Sequence, residues 1–229
     1  MQPLTNNFYT RLLLLRHAQT NHNTQGLISG RSDVPINERG HEQAKLLANR
    51  IKEQYAVDIL YCSPLQRARQ TAQYLSQALN LPIIINNDLT EYGFGELSDA
   101  DRNDLEESNP ALFKQIQEWE EAPADQRPQR PQIPGMEPID EFKHRIQAFT
   151  NKILKDHSGK IVAAVSHGGF IKSFFYYHVG GDFSRYVPFW VDNTSVSIID
   201  FYKGNPVIRL FNDISHTKEE LELGAPRIL

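Results

Sequence analysis

Four consecutive leucines, Leu12 to Leu15, constrain this chain more than any other stretch, because they are apolar on both faces. Such a run suits a strand in the middle of a sheet covered on both sides. It stops at Arg16 and His17, followed by the small and polar Ala18, Gln19 and Thr20. A cation and an imidazole at the carboxyl end of a central strand stand where open α/β sheets bind ligands.

Beyond the run, helix and strand signals alternate. Residues 21–37 read as a loop punctuated by Gly26, Gly30 and Pro35. Asn37 is placed to cap a helix over about 38–54, whose Ala44, Leu47, Ile51 and Tyr55 recur at helical spacing. Residues 57–61 form the next expected strand. Ser63-Pro64-Leu65-Gln66 then carries the signals of a helix start, with serine as cap. Ala68, Ala72, Leu75 and Leu79 supply its buried stripe, and residues 82–85 a third strand. This β-α-β-α-β order predicts a three-layer α/β/α domain around a mostly parallel sheet of about six strands.

The alternation breaks over about 98–138. Residues 88–99 read as a loop, 101–121 as an acidic helical segment, and 123–138 holds five prolines, too many for a helix or inner strand. We expect a single domain over 1–229 with this segment as an insertion, either a surface linker or a lid over the site. Regularity resumes with a helix over 138–156, a buried strand over 160–166 and a helix from Phe170 to about His178. Two last strands, near 195–202 and 206–211, join through Lys203-Gly204-Asn205.

Charge and cysteine content exclude several functions. Twenty-four basic against 28 acidic residues, a net charge of −4, offer no broad nucleic-acid surface, so anion binding must be local. The lone cysteine, Cys62, excludes an internal disulfide and fits a reducing compartment. No apolar run reaches spanning length and the polar first residues lack a leader pattern, so the expectation is a cytoplasmic protein without membrane contact.

The chemistry gathers at strand ends. His17 and His167 each directly follow a buried run. A lone histidine there is more often structural, but parallel strands bring their carboxyl ends to one rim, so two belong together. Arg67, in the first turn of the helix after Ser63, adds a fork of donors near a helix amino terminus, although spacing leaves Arg67 and Arg69 equivalent. Arg16, attached to a buried run, must find an anion or several acceptors. Two arginines and two histidines without nearby acidic ligands describe an oxyanion pocket, most economically for phosphate. Dinucleotide, P-loop and nucleophile-elbow patterns are missing, and arginine beside a metal cation would be repulsive.

The residues from Arg16 to Asn23 resemble the Arg-His-Gly-Glu-Thr-x-x-Asn signature of the histidine phosphatase superfamily, the phosphoglycerate mutase-like fold. Gly30-Arg31-Ser32-Asp33 through Ala44 resembles the segment after it. Ser63 to Thr71 resembles the Ser-x-Leu-x-Arg-Ala-x-Gln-Thr block, Glu91 is placed like the family acid, and Ser166-His167-Gly168-Gly169 resembles the second histidine block. Ala18, Gln19, His22 and Leu97-Ser98-Asp99 depart from the family pattern.

The resemblance implies roles. His17 would be the nucleophile that forms a phosphohistidine, and Glu91 the proton donor and then acceptor. Arg16, Arg67 and His167 would bind the phosphate oxygens, with Asn23, Gly30 and Gly168 lining the same site. No metal and no cofactor would be needed. The implied activity is metal-independent, acid-type hydrolysis of a small phosphorylated metabolite, with Phe94, His22, Arg102 and the proline-rich insert open to choose it. One rival is a cofactor-dependent phosphoglycerate mutase, disfavoured because mutases resemble His-Gly-Asn where this chain has His167-Gly168-Gly169. Asn193-Thr194-Ser195-Val196 also looks like the phosphatase version of its strand, and Arg127-Pro128-Gln129-Arg130 is a poor counterpart to the mutase's arginine-rich segment. The other rival is a catalytically inactive phosphate-binding scaffold, disfavoured because all five core residues are present. Oligomeric state is left open.

Overall fold

The computed structural model describes residues 9–100, 102–123, 126, 131, 133–183 and 187–217. Its sheet has six strands: β1 (Tyr9–Arg16), β2 (Ile59–Cys62), β3 (Ile83–Ile85), β4 (Ile161–Ser166), β5 (Val196–Tyr202) and β6 (Asn205–Asp213), in the order β3-β2-β4-β1-β5-β6. The first four neighbours run parallel, while β5 lies antiparallel to both β1 and β6. The expected α/β architecture with a mixed, largely parallel sheet is therefore what forms.

The leucine run explains the layering. All four leucines are fully buried, and successive side chains of a strand point to opposite faces. Leu12 and Leu14 pack with Phe142, Ile146 and Phe149 of α6 (Ile139–Asp156) and with Phe170 and Phe174 of α7 (Gly168–His178). Leu13 and Leu15 pack with Leu47 and Ile51 of α2 (Glu38–Gln54) and with Ala68, Ala72 and Leu75 of α3 (Gln66–Leu79). Each buried leucine contributes about 1.5–3 kcal/mol, and one strand thus ties both helical layers to the sheet.

Four local expectations need correction. The loop after β1 begins with a short helix, α1 (Asn21–Gln25), because Thr20 and Asn23 cap each other reciprocally and Gly26 ends the turn at φ 75°. Ser63 is not the cap residue of α3, which starts after Leu65 without a side-chain cap; its hydroxyl accepts from Leu65 N at 3.4 Å and lies nearer, 2.7 Å, to His167 Nε2. The acidic segment splits into α4 (Arg102–Ser108) and α5 (Pro110–Glu121), since the Asn109 side chain caps α5 at Leu112 and Pro110 supplies its first turn. Helix α7 begins at Gly168 rather than Phe170, with His167 as its cap residue.

Leu97, Ile116 and Ile133 form a small buried cluster of their own, joined by Ile28, Phe94 and Met136. Arg127–Arg130 and the Arg102 side chain lie outside the described residues. Among the described residues no helix is long and apolar enough to cross a membrane.

Candidate active site

The connections leaving β1 and β4 part company. The chain after β1 passes over β4 to reach β2, whereas the chain after β4 passes over β1 to reach β5. Between two such strands the carboxyl ends open a crevice. Register pairs Arg16 with Ser166, so the next residues, His17 and His167, stand side by side with ring centroids 5.1 Å apart.

The two imidazoles share a donor. Arg67 Nε lies 3.2 Å from His17 Nε2 and 3.2 Å from His167 Nδ1. Both ring nitrogens facing the guanidinium must therefore be bare acceptors. The far nitrogens complete the tautomers: His17 Nδ1 donates to the carbonyl of Ala18 at 2.8 Å, and His167 Nε2 donates to Ser63 Oγ at 2.7 Å. Burial holds both histidines well below the ordinary imidazole range, with the charges of Arg67 and Arg16 acting the same way. His17 is thus neutral, with its Nε2 lone pair turned toward a cation.

Arg67 is itself buried, and Arg69 is half exposed beside Asp33, so the fold decides what spacing left open. Its Nη1 and Nη2 donate to the carbonyls of Ser32 and Gly30 at 2.6 and 2.7 Å. Burial lowers this guanidinium to about 10, which still leaves it charged at neutral pH. Gly30 thereby serves through its carbonyl, in a left-handed conformation at φ 48° where a Cβ would strike Ser98. Arg16 reaches the carbonyl of Val191, and a Cβ on Gly168 would come within 3.4 Å of its Nε.

Glu91 closes the other side. Its carboxylate accepts from the backbone N–H groups of Tyr92, Gly169 and Phe170 at 2.7, 2.9 and 2.9 Å. The last two are the amino terminus of α7, whose orphan donors and dipole suit an anion. A Cβ on Gly169 would lie 2.4 Å from Glu91 Oε1, so only glycine admits the carboxylate there.

Antiparallel β5 starts where β1 ends and brings Asn193 to the rim. Asn193 Nδ2 donates to the His17 carbonyl and to Asn23 Oδ1, at 3.1 and 3.2 Å. Asn23 Oδ1 also accepts from Thr20, which turns its amide NH2 the other way. His17, His167, Arg16, Arg67, Gly30, Glu91, Gly168 and Asn23 thus lie around one rim of the sheet, while the Arg102 side chain is outside the described residues. Site contacts of Ser63, Gly169 and Asn193 go beyond the sequence reading; Ser63 directly follows β2 on the same rim, a position that carries the signal. A cavity of about 390 Å³ adjoins the Glu91 loop, lined by Arg31, Gly93, Ser98, Met136, Glu137 and Glu141.

The profile of the histidine phosphatase superfamily (branch 1) matches residues 12–214. The chain belongs to that superfamily. It is 30% identical over 209 residues to "Phosphoserine phosphatase 1" of Hydrogenobacter thermophilus, covering 91% of this chain and 95% of the relative. It is 27% identical to "Phosphoglycerate mutase-like protein 4" of Arabidopsis thaliana over 213 residues, 92% of this chain and 88% of that protein. The crystal structure of phosphoserine phosphatase from Entamoeba histolytica, in complex with 3-phosphoglyceric acid, superposes with a TM-score of 0.73 at 27% identity. That match covers 90% of this chain and 98% of the other. The phosphoserine phosphatase structure thus shares this fold over nearly its whole length.

Proposed function

We propose that the chain is a phosphomonoesterase acting on a small phosphorylated metabolite through a phosphohistidine on His17. The observation that carries this reading is the position of Arg67 Nε, 3.2 Å from one bare nitrogen of each buried histidine. A phosphoryl group entering that crevice meets His17 Nε2 in line, with the Arg67 and Arg16 guanidiniums around its equatorial oxygens; His167, whose Nε2–H is committed to Ser63, would join them only on taking a proton at Nδ1. These donors stabilise charge that spreads in a loose transition state.

In the first step the Nε2–P bond forms while the bond from phosphorus to the leaving oxygen breaks, and the Glu91 carboxyl gives that oxygen its proton. In the second, Glu91 takes a proton from water, the oxygen of which attacks phosphorus, and the Nε2–P bond breaks to release phosphate and neutral His17. The arginines neutralise the phosphate, so these steps need no metal ion. The cavity lined by Arg31, Gly93, Ser98, Met136 and Glu137 would take the leaving group. The phosphoserine phosphatase among the relatives makes a hydroxy-acid phosphate the natural first substrate to try.

Mutase chemistry is the weaker reading. The mutase pattern puts asparagine at Gly169, and any side chain there would run into Glu91.

The test is turnover of p-nitrophenyl phosphate in EDTA by wild type and His17→Ala, with trapping of an acid-labile phosphoprotein. Turnover and trapping by wild type alone are expected. Activity that survives His17→Ala, or disappears in EDTA, would overturn the mechanism. Exchange between 3- and 2-phosphoglycerate after priming with 2,3-bisphosphoglycerate would instead establish a mutase.

A further inference from the structure

We propose that Arg145 and Glu137 are positioning residues that brace the Glu91 loop, so that the carboxyl meets the leaving oxygen at the correct place. The inference rests on the reading of Glu91 as proton donor.

Glu91 sits on an irregular stretch whose only regular turn is Asn87–Leu89. Such a segment has no hydrogen-bond ladder of its own, and Arg145 from α6 supplies the missing anchors. Its Nη1 donates to the carbonyls of Asp88 and Thr90, at 2.5 and 2.9 Å, and its Nη2 reaches the carbonyl of Glu91 itself at 3.4 Å. The same guanidinium holds Glu137 in a fork, 2.7 Å from Oε1 and 2.9 Å from Oε2.

Glu137 in turn grips the far end of the stretch. Its Oε2 accepts from Gly93 N at 3.2 Å, its N–H donates to the Gly93 carbonyl at 2.9 Å, and its carbonyl accepts from the Tyr92 hydroxyl at 2.6 Å. Arg31 adds a second cation, 2.9 Å from Glu137 Oε1 and 3.3 Å from the Glu91 carbonyl. The loop is thereby fastened before and after the carboxylate. Arg145 also lies 4.9 Å from the Phe142 ring and 6.0 Å from the ring of Phe170, whose N–H holds Glu91 Oε1. One guanidinium thus sets the loop against both α6 and α7.

Stability alone does not explain this arrangement. A mostly buried ion pair is often no better than apolar residues of similar size, whereas a rigid fork fixes geometry. Proton transfer is sensitive to such geometry, since misplacement by about 1 Å can cost on the order of a hundredfold.

The test is the dependence of kcat/KM on leaving group, which reports the first step. Phenyl phosphate needs a proton donor, while p-nitrophenyl phosphate, of nearly the same shape, releases a stable phenolate unaided. Arg145→Lys and Glu137→Gln are each expected to lose roughly tenfold more on phenyl phosphate than on p-nitrophenyl phosphate. Glu91→Gln should show the same selectivity more strongly. Equal losses on both esters, or none, in variants folded by circular dichroism would overturn the brace. Should Arg145→Lys fail to fold, Glu137→Gln decides. Selectivity in Glu91→Gln but not in the other two defeats the brace alone; its absence in Glu91→Gln defeats the donor reading as well.

Discussion

The hydroxyl of Ser63 lies 2.7 Å from Nε2 of His167, and both groups are fully buried. With Arg67 Nε donating to Nδ1 of the same ring, Ser63 can only accept. It thereby fixes the tautomer that leaves His167 Nδ1 bare beside the other imidazole. The serine at the end of β2 is a partner of the second histidine, reached across the sheet from a strand 104 residues earlier.

Ser63→Ala should therefore impair catalysis before it impairs folding. The buried Nε2–H would lose its acceptor at a cost of about 1–3 kcal/mol, and the ring would be free to change tautomer. We expect kcat/KM for p-nitrophenyl phosphate to fall roughly tenfold with a modest loss of thermal stability. An unchanged kcat/KM would mean that the tautomer is held by Arg67 alone.

Gly169→Ala tests the seat of Glu91. The new methyl carbon would stand 2.4 Å from Oε1 and 3.0 Å from the carboxyl carbon, so the carboxylate must leave the amino terminus of α7. The glycine is not among those with positive φ, so the substitution adds no backbone strain of its own. Turnover of phenyl phosphate is expected to drop by roughly a hundredfold while the circular dichroism spectrum is kept. Full activity in a folded variant would show that Glu91 acts from elsewhere.

Part of the pH dependence of stability arises from the buried His17 and His167 and the partly buried His178. Burial lowers His178 to about 4, and His17 and His167 lie well below 6.5. In the unfolded chain each binds its proton near pH 6.5, whereas in the folded chain each resists it. The unfolded state therefore holds more protons below neutrality, and stability drains as pH falls from about 6.5 toward 4. For His178 the loss reaches about 3 kcal/mol once pH has fallen through its folded value of about 4. Urea midpoints measured between pH 7 and pH 4 should fall steadily, and His178→Gln should flatten part of that slope. A midpoint constant over this window would contradict buried, neutral imidazoles.

Much of this molecule could be read from its residues. The leucine run had to be an inner strand, because residues apolar on both faces can be buried only between two layers. The same logic applied to residues 160–166, and parallel strands then put His17 and His167 on one rim. Those signals are local, carried by composition and period over a few residues. Glu91 was different: only its resemblance to a family pattern raised it above other glutamates, since its three donors come from Tyr92 and from the start of a helix some 78 residues away.

What tertiary structure alone decided has the same physical reason throughout. Spacing left Arg67 and Arg69 equivalent; the carbonyls of Gly30 and Ser32, folded over from another loop, made Arg67 the buried one. Ser63 reads as a helix cap, yet the neighbour across β2 and β4 is an imidazole, and its hydroxyl makes the shorter bond there, 2.7 Å against 3.4 Å to Leu65 N. Glu137 and Arg145 carried no signal because their partners, residues 88 to 93, meet them only through hydrogen bonds made in the folded chain, 44 to 57 residues away in sequence. The sequence by itself determined the strands, the two layers and the imidazole pair, all products of burial over short range. Which cation faces those imidazoles, and which groups hold the acid, depended on contacts between segments that no local pattern connects.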